Sequence, residues 1–162
     1  MNTRRSFVIV TLAAGIAASA LSFVLWPSPS GGPPLTPLQL ALFLIIYIGE
    51  AFLFGFGVAF AAFGLPAMRD ATRLAGVRTW PAFVAITWSL VAWWPHDGFH
   101  RAAPAGDVNA VLRIEYAFHA TLIVAGILCA QFFLATLRAT IAPRSHESSR
   151  RMATVRAAFT DR

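Results

Sequence analysis

Lysine does not occur in this 162-residue chain, cysteine occurs once, and Asp and Glu together number seven. The single Cys129 excludes an internal disulfide and any thiol-based metal motif. Charged residues make up 12% of the sequence against 57% hydrophobic ones, about half the charged fraction of an ordinary soluble domain. So few charges cannot clothe a soluble globule. The basic residues are all arginine and alanine is abundant, which points to a GC-rich bacterial genome. They sit between apolar blocks and in the C-terminal tail, not on one continuous stripe, which argues against a nucleic-acid partner.

The apolar residues are gathered into four blocks, 6–26, 38–65, 80–94 and 110–137. A helix of about 20 residues crosses a hydrocarbon core of about 30 Å. The spacing predicts an all-α integral membrane protein, a four-helix bundle spanning 1–137 followed by a basic cytoplasmic tail, 138–162. The alternative for the first block is a cleaved signal peptide, since Ala18-Ser19-Ala20 resembles a small-residue cleavage site. Against it, the apolar run continues to an interfacial Trp26. Thr11, Gly15, Ser19 and Ser22 recur at helical spacing, a small face suited to close helix contact. The proline-rich stretch 27–37 reads as an extracytoplasmic loop, and 67–79, with Arg69, Arg73 and Arg78, as a cytoplasmic one. Eleven arginines fall on one side of this arrangement and two, Arg101 and Arg113, on the other. That asymmetry puts both termini in the cytoplasm of a bacterial inner membrane. The third block is short before Pro95, so either its helix starts early or the residues after Trp94 are drawn toward the membrane.

Ionisable groups near the blocks are few: Glu50, His96, Asp97, His100, Arg113, Glu115 and His119. Charges in a bilayer are costly, so such groups turn inward, pair, or line a pathway. Glu115 and His119 share one helix face, and continuing that face to Gly126 and Ala130 predicts that it meets another helix. His96, Asp97 and His100 lie in a short run taken as an outer loop close to Glu115. Three imidazoles and two carboxylates at one level form a candidate site for zinc, iron, copper(II) or manganese. Copper(I) fits poorly, because Met1, Met68 and Met152 all lie on the other side. The pattern His-Asp-x-x-His with Glu-x-x-x-His is not a signature, and its structural alternative is a hydrogen-bonded loop anchored by tryptophans. Haem is a further variant, with His119 and His96 as axial ligands.

Glu50 lies deeper in its block. It is a candidate proton relay or inner ligand with His119 or Tyr47 as its neighbour, or else a neutral acid bonding across a helix pair. Arg113 is expected to pair with Glu115 or Asp107 or to contact lipid phosphate, and the tryptophans 80, 93 and 94 to mark interfacial belts. The tail is either solvated or, through Met152, Val155 and Phe159, a helix on anionic lipid. Three functions follow: a metal site for redox or hydrolytic chemistry, a non-catalytic membrane subunit or assembly factor that meets a membrane-protein partner or a second copy, and a proton or solute pathway through Glu50 and His119.

Overall fold

A computed structural model describes residues 2–27, 35–103 and 107–160, the stretch from 142 onward by its backbone alone. Most of the proline-rich stretch lies outside these residues, as do the side chains of His146, Met152, Val155 and Phe159. Six helices and, among the described residues, no strand make up the fold: α1 (Thr3–Leu25), α2 (Pro37–Phe63), α3 (Leu65–Ala75), α4 (Thr79–Val91), α5 (Trp93–Ala102) and α6 (Val108–Thr160). Three of them, α1, α2 and the Val108–Ile141 part of α6, are long and apolar enough to cross a membrane; α4 is apolar but shorter.

Each start has a local cause. Asn2 accepts a hydrogen bond from the Arg4 amide at 3.2 Å, and Thr36 and Gln39 form a reciprocal capping box, with Pro37 in the first turn, where a missing N–H costs nothing. Pro66 likewise opens α3 instead of merely ending α2, with Gly64 at the junction. The stretch 67–79, expected as a loop, is therefore largely helical. Gly76 ends α3 in the left-handed conformation, φ 66°, which a side chain would oppose. The run after Trp94, also expected as a loop, is α5. Pro95 falls in its first turn, and backbone bonds from Ala92 to Trp88 (3.0 Å) and from His96 to Ala92 (3.2 Å) carry the helical path across the join.

α1 lies against α2 along the small face. A side chain built on Gly55 would meet the Gly15 amide nitrogen at 2.6 Å, so the two backbones touch there. α4 crosses α2 at Gly57, against Leu90 and Val91. At the arginine-bearing end, Met68, Ala82, Phe83 and Phe132 join α3, α4 and α6 in one core cluster. At the other end Ala18, Ala51 and Trp94 form a second, with Trp26 and Phe54 packed on it.

Trp94 faces into the chain. It is buried, and its indole N–H donates to the Ser22 hydroxyl at 2.8 Å. Ser22→Ala leaves that donor without a partner and is expected to lower stability by about 1–3 kcal/mol. Thermal unfolding in detergent checks this: with Trp94→Phe added, the loss should be smaller than the sum of the two single losses.

The inward stripe of α6 also differs from expectation. Phe118, Ala125 and Phe132 are buried, two turns apart each time. Gly126 and Ala130 are exposed, and a side chain on Gly126 would meet nothing within 4 Å among the described residues. The face that carries the small pair thus leaves the chain instead of entering it.

Candidate metal centre

α5 is the element that organises the polar groups. Residues four apart on a helix share a face and consecutive residues stand about 100° apart. His96 and His100 therefore project together toward α6, and Asp97 and Arg101 project together toward α2.

On the α6 side, His96 Nε2 and His100 Nε2 lie 3.1 Å apart, and His100 Nε2 is 2.8 Å from Glu115 Oε1. One donor atom from each of the three residues falls within 4.8 Å of the others. For metal bonds of 2.0–2.1 Å the edge of a tetrahedron of ligands is about 3.3 Å. Two of the three edges already come close to that, so an ion would need only small side-chain shifts. His119 is beside this group and not in it. Its Nδ1 reaches Glu115 Oε2 at 2.8 Å and the Glu115 carbonyl at 2.9 Å, which fixes the carboxylate so that Oε1 faces His100.

His96 is held by stacking. Its ring lies on Phe118 at 3.8 Å with an interplanar angle of 20°, and Trp93 meets Phe118 edge-on at 5.0 Å. With Phe118 filling that face and His119 perpendicular to His96, no slot remains for a porphyrin between the two imidazoles. His96 is largely withdrawn from its surroundings, its side chain at 11% of full accessibility. The neutral ring is the form that binds a metal. Its Nδ1 is buried and, among the described residues, without a hydrogen-bond partner. Asp97 Oδ1, at 3.9 Å, is too distant to serve.

Asp97, expected among the ligands, is turned to α2 instead. Its carboxyl lies near that of Glu50, and Arg101 is the nearby positive charge. Arg101 also lies over the Tyr47 and Phe43 rings at 5.1 and 5.8 Å, within cation–π range. Glu50 thus finds its partner on α5 and not in His119. Tyr47, the other neighbour expected for it, donates its hydroxyl to the Ser19 carbonyl of α1.

Arg113 makes no ion pair among the described residues: Glu115 is taken by the two histidines, and Asp107 accepts from the Ala110 amide at 2.9 Å. The residues that the sequence reading undervalued are Phe118 and Gly98. The first is the platform for His96. The second leaves room for Trp26, whose ring occupies the space that a Gly98 side chain would need. Their only signal in the sequence is helical spacing, Phe118 three residues after Glu115 and Gly98 four after Trp94, and the second becomes readable once 93–102 is known to be a helix. Comparisons of the chain with protein-family models, curated proteins and solved structures found no match, so the site is read from its own geometry.

Proposed function

We propose that the protein is a four-crossing membrane protein, with both termini cytoplasmic, that holds one divalent transition-metal ion between His96, His100 and Glu115 near its extracytoplasmic end. The observation that carries the reading is the convergence of two imidazole nitrogens and one carboxylate oxygen from two helices on a single point. The fourth crossing is α4, continued by α5. Thr79–Val91 alone is about 20 Å long, short of a hydrocarbon core of about 30 Å, and α5 extends the path to about 36 Å. Arg4, Arg5, Arg69, Arg73 and Arg78 lie toward the end opposite α5, which favours a cytoplasmic assignment for that end by the positive-inside rule. The use of arginine without lysine agrees with a bacterial cytoplasmic membrane.

Two histidines and one carboxylate form an open set, which suits zinc or iron(II) and leaves positions for water or substrate. Such an ion would supply Lewis-acid or redox chemistry there. The chain's own contribution is positional: Phe118 clamps the His96 ring, His119 orients Glu115, and the apolar surroundings thin out water. The test is cobalt(II) titration of purified protein in detergent. One equivalent binding with the intense visible bands of a low-coordinate site is expected, and uptake well below one equivalent would remove the proposal.

A second reading, a non-catalytic subunit, is favoured by one observation: the strip Ile123, Gly126, Ile127 and Ala130 of α6 faces away from the chain, as a surface for a partner helix would. A relay through Glu50 and His119 has less behind it, since Glu50 is answered by Asp97 and His119 by Glu115.

A further inference from the structure

Beside the polar groups, one side of the α4–α6 pair carries a long apolar groove. Its upper part, of about 420 Å³, is lined by Trp88, Ala92, Pro95, His96, Phe118 and Thr121 among others, with Arg113 at its rim. Its lower part, of about 460 Å³, continues past Trp88 and Thr121 to Val124 and Leu128. The two parts share Trp88 and Thr121, whose polar atoms satisfy each other at 3.1 Å. Along its length the groove therefore offers a ligand almost nothing but carbon. At its α5 end stands the guanidinium of Arg113, exposed and without an ion pair among the described residues.

We propose that this groove holds one acyl chain of an anionic phospholipid from the leaflet on the α5 side, with the lipid phosphate on Arg113. The charge pattern chooses the occupant. A cation at the mouth of a carbon-lined slot complements an anionic head joined to an apolar chain, and it gives a second transmembrane helix nothing to match. Dimensions agree. From Arg113 to Leu128 the groove follows α6 for about 22 Å, and the hydrocarbon of one leaflet is about 15 Å deep. A chain in the groove thus reaches through its leaflet while the phosphate stays at interfacial depth, where arginine and phosphate form charge-assisted, often bidentate bonds. The site rests on the membrane placement and not on a bound metal, although His96 lines its upper wall and would sit beside the lipid.

The test uses the full chain in vesicles of phosphatidylcholine doped with either phosphatidylglycerol or phosphatidylcholine bearing a photoactivatable group at mid-chain, with labelled positions read by mass spectrometry. For the glycerol lipid, labelling of Ala117, Ala120, Thr121 and Val124 is expected to exceed labelling of the exposed α1 residues Val8 and Ile16 by about fivefold or more. Arg113→Gln should bring it down to the level of the choline lipid. Ala120→Trp, which fills the slot from the surface, should reduce it with either head group, and Ala117→Trp provides a second filling variant. His100→Ala should leave it unchanged, which separates this site from the metal proposal. Even labelling over α1 and α6, or indifference to both filling variants, would overturn the lipid site. Protection of the α6 positions that lasts only while the protein is dimeric would assign the groove to a second copy. Absence of label from every helix would overturn the membrane placement and the site together.

Discussion

Purified His100→Ala protein is expected to lose stoichiometric zinc, with affinity reduced by more than about 100-fold. His100 Nε2 is the middle atom of the three, 3.1 Å from His96 Nε2 and 2.8 Å from Glu115 Oε1. Removing it leaves one imidazole and one carboxylate on different helices. His119→Ala should cost less, about 10–100-fold, the usual range for a group that orients a ligand without touching the ion. Asp97→Asn should leave one zinc per chain, because that carboxyl faces Glu50. For the wild type, affinity should fall as pH drops through the imidazole range, where protons compete for the same nitrogens. Isothermal titration with competing chelators measures all four. Equal losses for His100→Ala and Asp97→Asn would show that the three-atom group is not the site.

The second large effect is on the fold. Gly55→Ala is expected to destabilise the protein by about 3 kcal/mol or more, at the upper end of what overpacking does. The added carbon would start 2.6 Å from the Gly15 nitrogen and 3.1 Å from its Cα. Both are backbone atoms, so no rotamer change relieves the clash and α1 must separate from α2. Gly126→Ala makes the opposite prediction. Nothing described lies within 4 Å of its new methyl, and replacing a mid-helix glycine by alanine is worth about 0.5–1 kcal/mol of stability. Thermal melts of the two variants in one detergent should move in opposite directions. Loss of stability in Gly126→Ala would indicate that this face is covered by a partner.

The same glycines show what could be read from the chain alone. The long apolar blocks announced α1, α2 and α6, because an uninterrupted apolar run of that length has few other solutions. The close approach of α1 was legible too, since Gly15 and Ser22 fall at helical spacing on a face without bulk. The direction of α6 was not. A helix that is apolar all round has no contrast to show which side goes inward, and Glu115 and His119 gave a false pointer: Glu115 meets α5 while most of His119 stays exposed, its side chain at 54% of full accessibility. The run from Trp93 to Ala102 was misread for another reason. Proline and glycine usually punctuate, yet Pro95 is in the first turn, where it is tolerated, and Gly98 is there to receive Trp26. Once that run is helical, His96 with His100 and Asp97 with Arg101 fall on two sides, and the five-ligand cluster divides into two groups.

That division gives α5 a mechanical property that a loop would lack. The imidazoles on one side and Asp97 and Arg101 on the other are geared to one axle of just under three turns. Any torque that draws His96 and His100 toward α6 turns Asp97 and Arg101 through the same angle against Glu50 and the rings of Phe43 and Tyr47.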